Sequence, residues 1–440
     1  MSIIKDSAYL VASNVILVFC SLATGVMTAR WLGPEGRGEL YLLIQIASLG
    51  ALVISCGLGP SYQYHLTKGF FSRSQILSHL LTQIFFTFLL VFFVCFYAGD
   101  LWTWLAGTEV SEPLRLIASL ALISNVAISF SSCVMMSMND GIKLNSFLGV
   151  LSALINLFGL VILVWGLEWG VYGAILAYFL SIFIRLLPTI VKVMSGIWLQ
   201  VRFKWIEPST KLFGYGFSAF LSNIMVSTVF RIDVFILSAI SGVASVGIYS
   251  VSVAFAELAL MVPNAVGMSL FAHLPRMNLE EQISVIQRSS VIVFLIAVIS
   301  GLGLIIFSYP IVLILMGDEY LDAVIPLCLL VPGVISMSVN YVFSNFYSAI
   351  GKPIVGVYCF ALGLVANVFL CYFLIPIYGV SGAALASTLA YFVITFSFLF
   401  LLKHQFNISV IRMFKIDKND IQIVKEKIRG LISRFLPQKG

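Results

Sequence analysis

Twelve apolar stretches, most of them 20 residues or longer, follow one another along this chain of 440 residues. An α-helix needs about 20 apolar residues to cross the hydrocarbon core of a bilayer. Only 10% of the residues are charged, whereas a soluble domain has about 25%. A membrane β-barrel would show short alternating segments in place of continuous runs. The sequence therefore predicts an all-α polytopic membrane protein of about twelve transmembrane helices. The predicted spans are residues 8–32, 39–65, 76–98, 113–138, 144–166, 171–196, 211–240, 243–272, 289–310, 321–350, 353–375 and 378–402.

Basic residues lie mostly on one side of these predicted spans. Lys and Arg near the ends of spans collect on the cytoplasmic side of a membrane. With the N-terminus inside, 21 of the 25 basic residues lie inside, Arg231 lies within a span, and Arg30, Arg37 and Arg115 lie outside. We therefore expect both termini in the cytoplasm. The loops are too short for a soluble catalytic domain, so we expect a protein that is not an enzyme.

The C-terminal tail, residues 403–440, is basic, with nine Lys or Arg against three Asp or Glu. One interpretation is an amphipathic helix that lies on the anionic cytoplasmic surface of the membrane. The other is a mobile, solvated tail. The apolar residues that recur there at helical spacing are Ile421, Val424, Ile428, Leu431 and Phe435.

The two halves of the chain repeat each other at an offset of 209 residues. The segment GVYGAILA at 170–177 recurs as GVSGAALA at 379–386. Small and polar residues at the same offset are Ser13 and Asn14 with Ser222 and Asn223, Gly33 with Gly242, and Gly38 with Gly247.

One repeat contains six spans, an even number, so both copies have the same orientation in the membrane. Copies of this kind are related by a pseudo-twofold axis along the membrane normal. The sequence predicts an N-terminal lobe (1–196), a cytoplasmic linker (197–210), a C-terminal lobe (211–402) and the tail (403–440). Two lobes around a central cavity are typical of transporters.

Three ionisable residues lie deep within predicted spans: Arg231, Asp233 and Glu257. A charge in hydrocarbon is costly, so each should face a partner or a water-filled cavity. Arg231 could pair with Glu257 or Asp233 and only hold two helices together. Alternatively, Arg231 forms a cationic site for an anionic substrate, and Asp233 or Glu257 couples transport to H⁺ or Na⁺. The first half has no charged residue at the equivalent positions, which favours the second interpretation.

Polar residues also follow single faces of three spans. For any one Ser or Asn, a hydrogen bond between helices is the better explanation, whereas the equivalent positions of the first and seventh stripes in the two lobes favour a shared cavity. Arg30, at the outer end of the first span, is either a cavity residue or an interfacial anchor beside Trp31. The stripes are Asn14, Ser21, Gly25 and Thr28; Asn223, Ser227 and Arg231; and Ser336, Asn340, Ser344 and Ser348. The predicted substrate-cavity residues are Arg30, Arg231, Asp233, Glu257, Asn14, Asn223 and Asn340.

Several classes of site are missing from the sequence. There is no phosphate-binding loop of the GxxxxGK[ST] type. The seven cysteines and four histidines show neither metal-ligand spacing nor a disulfide framework. We therefore expect no cofactor, no metal, no catalytic residue and no nucleic-acid partner, with a coupling ion as the one small species the transport site would bind.

Three motifs carry a resemblance to a known family. They are Ala29-Arg30-x-Leu32-Gly33-Pro34-Glu35-x-x-Gly38; Arg231-Ile232-Asp233 followed by Gly242 and Gly247-Ile248-Tyr249-Ser250; and Gly379-Val380-x-Gly382-Ala383-Ala384. In order and spacing, the chain resembles the bacterial polysaccharide-transport proteins, the Wzx-type flippases, which are related to the multidrug extruders of the MATE type.

The resemblance implies two six-helix bundles and alternating access. It implies transfer of an undecaprenyl-diphosphate-linked oligosaccharide across the bacterial inner membrane, for O-antigen, capsule or exopolysaccharide assembly. The partners would be that lipid-linked glycan, membrane lipids, and glycan polymerase and chain-length proteins. The family's cationic cavity residues carry over onto Arg30 and Arg231, and less directly onto Asp233 and Glu257. The alternatives are a cation-coupled multidrug extruder, a membrane enzyme of glycan assembly, and an assembly scaffold.

Overall fold

The computed structural model describes residues 2–97, 99–107, 109–138, 140–195, 209–261, 263, 274 and 277–406. Within these residues the chain forms fourteen α-helices. They are α1 (Ser2–Ser55), α2 (Leu58–Thr67), α3 (Arg73–Tyr97), α4 (Gly99–Ala106), α5 (Glu112–Met136), α6 (Gly141–Leu160), α7 (Gly170–Met194), α8 (Ser209–Val229), α9 (Ile232–Ser241), α10 (Val243–Leu258), α11 (Leu279–Leu315), α12 (Val324–Ala349), α13 (Ile354–Tyr378) and α14 (Val380–Phe406). A π-helical turn, Val161–Gly166, extends α6, and a 3₁₀ helix, Asp318–Ala323, precedes α12.

Helix α1 contains the first predicted span and most of the second, and the two meet at a kink. Gly33 there has φ 68° and ψ 180°, which glycine adopts readily because it has no Cβ. Pro34 follows, and its fixed φ and missing N–H suit the first turn of a new helical segment. The chain therefore begins its second span at Pro34 without an intervening loop.

Ten of the described helices are long and apolar enough to cross a membrane. One of them, Ala12–Ser55, has 44 residues and contains the kink at Gly33, so it is long enough for two crossings. Helix α10 is a shorter apolar helix at the start of the eighth predicted span. Each of the twelve predicted spans therefore has an apolar helix, which confirms the all-α fold of about twelve membrane helices.

The described helices expose many large apolar side chains. Helix α3 exposes Phe85 and Phe93, and helix α13 exposes Val365, Phe369 and Tyr372. Soluble monomers rarely expose apolar patches of this extent. These surfaces are consistent with contact with lipid.

The chain packs as two compact units, and the first takes Met1–Val251 and Ile311–Asp322. Two clusters of buried apolar side chains form its core. One lies among α2, α3 and α5, around Tyr62, Leu80 and Phe130. The other lies among the second half of α1, α4, α5 and α7, and includes Trp102 and Ile175.

The second unit takes Ser252–Pro310 and Ala323–Gly440. Its described helices approach closely through glycines. A Cβ added at Gly333 of α12 would lie 2.7 Å from Thr388 Cα of α14, and one added at Gly363 of α13 would overlap the side chain of Ile394. Such contacts between small residues are typical of membrane helices, which gain little from hydrophobic burial against each other.

The units follow packing and do not follow the limits of the predicted lobes. Helices α8 and α9 belong to the predicted C-terminal lobe by sequence repeat, yet they pack in the first unit. The lobes at 1–196 and 211–402 stay a prediction about repeat symmetry. The predicted linker, apart from residues 209 and 210, and the tail beyond residue 406 lie outside the described residues.

Candidate functional site

Arg30 lies at the end of the first span, just before the kink. Its side chain is exposed, and its guanidinium donates to the backbone carbonyls of Ile314 and Leu315, with 2.9 Å from Nε to the Leu315 oxygen. These carbonyls end α11, where the last four C=O groups of a helix have no partner within it. Arg30 therefore caps a helix C-terminus, where a cation is favourable.

Arg231 and Asp233 lie at a break between α8 and α9, and each hydrogen-bonds to a tyrosine. Arg231 has φ −131°, outside the helical range, and its Nη1 donates to the Tyr41 hydroxyl at 2.9 Å. Asp233 is buried, and its Oδ2 accepts a hydrogen bond from the Tyr249 hydroxyl at 2.5 Å. Arg231 is half-buried and therefore the more accessible of the two charges.

The other predicted cavity residues are dispersed. Asn14 and Asn223 lie at equivalent positions of the repeat, and both are exposed. Glu257 and Asn340 belong to the second unit, where Glu257 is half-buried and Asn340 is fully buried. The Asn340 Oδ1 atom has no hydrogen-bond partner among the described residues. Five of the seven predicted residues thus belong to the first unit: Arg30, Arg231, Asp233, Asn14 and Asn223.

The duplicated glycines pack against each other reciprocally. A Cβ added at Gly38 would overlap the Val243 carbonyl, and one added at Gly247 would overlap the Pro34 carbonyl. Gly38 is equivalent to Gly247 at the 209-residue offset, and Pro34 is equivalent to Val243. The two copies therefore touch through the same pair of positions, backbone against backbone.

A second pair of contacts repeats the same symmetry. The Ser238 hydroxyl donates to the carbonyl of Ala106 at the end of α4. At the 209-residue offset, Ser238 is equivalent to Ala29, and Ala106 is equivalent to Leu315. In the other copy, Arg30, the neighbour of Ala29, donates to the Leu315 carbonyl. We call this region, residues 29–38, 106–107, 238–250 and 314–320, the kink contact.

Arg37 is a further residue of the kink contact, and it breaks the symmetry. Sequence reasoning counted it among the outer charges, but the structure places it in α1 with only 6% of its surface exposed. Its Nε donates to the Ser250 hydroxyl at 2.7 Å, its Nη1 donates to the Gly25 carbonyl, and its Cζ lies 5.9 Å from the Tyr320 ring centroid. The repeat could have identified Arg37 from the sequence, because it places an arginine where the second copy has an apolar residue, Val246.

A different contact joins α2 to α8, at the opposite ends of the second and seventh predicted spans. The Ser61 hydroxyl donates to the Leu212 carbonyl at 2.7 Å, and a Cβ at Gly57 would overlap the Gly216 carbonyl. Beside it, the Tyr62 hydroxyl and His79 Nδ1 are 2.8 Å apart, and both side chains are fully buried. We call residues 57–62, 79 and 212–216 the α2–α8 contact.

No group of three or more His, Cys, Asp or Glu side chains among the described residues could hold a metal ion. The polar groups of the kink contact include arginines, hydroxyls and backbone carbonyls, and its segments also carry the carboxylates of Glu35, Asp318 and Glu319. The arginines can bind an anion, and such groups can exchange hydrogen bonds as helices move.

Residues 3–279, more than half of the chain, match the model of a family described as polysaccharide biosynthesis protein. The chain belongs to the polysaccharide biosynthesis protein family. The resemblance carried by the three sequence motifs is thereby confirmed. Over 404 residues, this family member is also 23% identical to an uncharacterized membrane protein of Methanocaldococcus jannaschii, covering 88% of this chain and 94% of that protein.

Solved structures show the same fold for this polysaccharide biosynthesis family member. A structure of the lipid II flippase MurJ in an inward closed conformation matches with a TM-score of 0.75 at 16% identity, covering 95% of this chain and 91% of that one. An inward-facing multidrug resistance MATE transporter of the MOP superfamily matches with a TM-score of 0.68 at 16% identity, covering 87% and 93%. The chain therefore has the fold of this transporter superfamily.

Proposed function

We propose that this protein is a flippase that moves a polyprenyl-diphosphate-linked oligosaccharide from the inner to the outer leaflet of a bacterial inner membrane by alternating access. The observation that carries the proposal is membership of the polysaccharide biosynthesis family on a transporter fold. The surface polymer would be an O-antigen, a capsule or an exopolysaccharide.

The chemistry of the substrate explains the need for such a protein. An ionised diphosphate with attached sugars cannot enter hydrocarbon without a large desolvation cost. A hydrated path lined by Arg231 and by polar residues such as Asn14 and Asn223 would replace its water shell, while the polyprenyl chain stays in lipid. Two repeats that rock against each other would expose this path to one side at a time.

The charge distribution supports an orientation. With both termini in the cytoplasm, the kink contact faces the outside and the α2–α8 contact faces the inside. Opening the kink contact would then release the head group to the outer leaflet. Asp233 and Glu257 are the candidates for coupling this cycle to H⁺ or Na⁺.

The direct test uses proteoliposomes that contain the purified protein and a polyprenyl-diphosphate-linked oligosaccharide with a fluorescent sugar. We expect the fluorophore to become accessible to a membrane-impermeant quencher in the opposite compartment, with a rate that depends on the protein. Arg231→Ala should reduce this rate at least about tenfold, the effect of losing one charge-assisted contact. Arg231→Lys, which keeps the charge, should retain part of it.

The main alternative is a cation-coupled multidrug extruder, favoured by the similarity to the MATE transporter fold. Cationic dyes in the same proteoliposomes distinguish the two functions. Dye accumulation driven by a proton or sodium gradient, together with no movement of the lipid-linked oligosaccharide, would establish the extruder and refute the flippase.

A further inference from the structure

Arg37 is buried in the kink contact with neutral partners alone. Its side chain donates to the Ser250 hydroxyl and the Gly25 carbonyl, and it approaches the Met316 sulfur and the Tyr320 ring. Among the described residues, no carboxylate lies within ion-pair distance of it. A buried charge is stable only when it is well hydrogen-bonded, and it is normally paired with a counter-ion. The counter-ion of Arg37 is therefore missing from the described part of the chain.

Packing alone does not require an arginine at this position. The kink contact is reciprocal in its glycines, and the residue equivalent to Arg37 in the second copy is Val246, which is fully buried. A valine thus fills the equivalent space on the other side of the pseudo-twofold axis. The arginine adds a cation that the contact does not need for closure.

The guanidinium reaches the Gly25 carbonyl of the first span. Gly25 lies eight residues before Gly33, which is about 12 Å along the helix from the kink. It shares one face of the first span with Asn14, Ser21 and Thr28, the polar stripe that the sequence assigns to the cavity. The buried cation therefore lies at the end of this stripe nearer to the kink.

An anion would compete well for this side chain. Hydrogen bonds from a guanidinium to phosphate oxygens are bidentate and roughly twice as strong as bonds between neutral groups. The partners of Arg37 in the closed contact are a hydroxyl, a backbone carbonyl, a thioether and an aromatic face. A diphosphate at the end of the polar stripe would therefore draw Arg37 away from Ser250 and weaken the contact.

We propose that the diphosphate of the substrate binds the Arg37 guanidinium in place of Ser250 and Gly25, and that this exchange of partners opens the closed kink contact. The inference rests on the proposed function for the identity of the anion. It identifies Arg37 as a substrate-triggered positioning residue, distinct from the cavity cation at Arg231.

The experiment measures opening at residue 246, which is fully buried in the closed contact. Val246→Cys is introduced into the full chain in detergent, and a maleimide reagent is added with inorganic diphosphate or with chloride at matched ionic strength. Labelling is quantified by mass spectrometry on the peptide that carries residue 246, so that the native cysteines do not interfere. We expect diphosphate to raise the labelling rate roughly tenfold, as for the loss of one hydrogen bond to a charged group.

Three further variants, each combined with Val246→Cys, test which residues the response to diphosphate requires. Arg37→Met, which carries an apolar side chain as the second copy does, should stay closed and give no response to diphosphate. Ser250→Ala removes a neutral partner of Arg37 and should respond at a lower diphosphate concentration. Arg115→Met, which removes an arginine outside the kink contact, should respond as the unchanged protein does.

The same rise in labelling with Arg37→Met would refute the proposal, as would no rise in the Val246→Cys protein itself. A transport assay with the lipid-linked oligosaccharide distinguishes failure of the role of Arg37 from failure of the proposed flippase function. Transport that is unaffected by Arg37→Met overturns the role of Arg37 and leaves the flippase intact. Opening by diphosphate through Arg37 without any oligosaccharide transport supports the anion trigger and overturns the flippase.

Discussion

The kink contact and the α2–α8 contact lie at opposite ends of the same two predicted spans, and both depend on backbone approaching a glycine. Gly38 lies against the Val243 carbonyl in one, and Gly57 lies against the Gly216 carbonyl in the other. The kink contact adds arginines, whereas the α2–α8 contact adds a hydroxyl bond and a buried tyrosine–histidine pair. A contact that holds a cation can respond to an anionic ligand, and a contact of neutral groups responds mainly to packing.

The largest expected effect concerns Gly57. A Cβ there would overlap the Gly216 carbonyl, and Gly57 also has φ 70°, in the left-handed region. Overpacking costs about 1–3 kcal/mol and left-handed backbone a further 1–2. We expect Gly57→Ala to lower the free energy of unfolding in detergent by about 4 kcal/mol. Gly214→Ala on α8, where the added Cβ meets nothing within 4 Å, is the matched control and should be near neutral.

The next effect tests the reciprocity of the kink contact. Gly38→Ala and Gly247→Ala should each cost about 2 kcal/mol in thermal or denaturant unfolding, because each Cβ overlaps a carbonyl of the other copy. The double variant should cost clearly less than the two together, since separating the copies relieves both overlaps. Fully additive costs would mean that the two glycines do not share one contact.

A smaller effect sharpens the description of the α2–α8 contact. Tyr62→Phe removes the hydroxyl next to His79 Nδ1, while His79 Nε2 already has no partner among the described residues. The histidine would then be left with both ring nitrogens unpaired, and we expect a loss of about 1.5 kcal/mol in equilibrium unfolding. The double variant with His79→Phe should regain part of this loss. A double variant that is less stable than Tyr62→Phe alone would argue against a hydrogen bond between Tyr62 and His79.

The smallest effect concerns the neutral half of the kink contact. Ser238→Ala removes the hydroxyl that donates to the Ala106 carbonyl. Hydrogen bonds between membrane helices contribute about 0.6 kcal/mol on average, and we expect a loss of this size in equilibrium unfolding. When Ser238→Ala is combined with Val246→Cys, labelling at residue 246 should still rise with diphosphate, because Arg37 is unchanged. A lost response would assign the trigger to the whole contact rather than to the arginine.

Much of the fold could be predicted because it depends on local sequence. The apolar runs gave the membrane helices, and the repeated Gly33 and Gly242 marked two breaks where both residues have positive φ. At the break at residues 56–57, which ends the second span early, Gly57 closely approaches α8. That approach joins residues about 160 positions apart, and the local pattern of residues contains no trace of it.

The candidate site was harder to predict, because charge burial depends on distant segments. Arg37 lies beside Glu35 and Glu39 in the sequence and has the appearance of a solvated loop residue. It is buried because Ser250 and residues 316–320 pack over it. Arg231 and Asp233 hydrogen-bond to Tyr41 and Tyr249, which lie on different helices far apart in the sequence. Whether these residues line the transport path stays a prediction.

The reciprocal glycine contact has the form of an isologous interface, the kind that two identical molecules make across a twofold axis. Between two identical copies, an arginine at position 37 would occur twice in one buried contact, and the like charges would repel each other. Joining both copies in one chain removes this restriction. One copy can then carry the arginine and the other a valine, so a single cation lies at a contact that is otherwise symmetric.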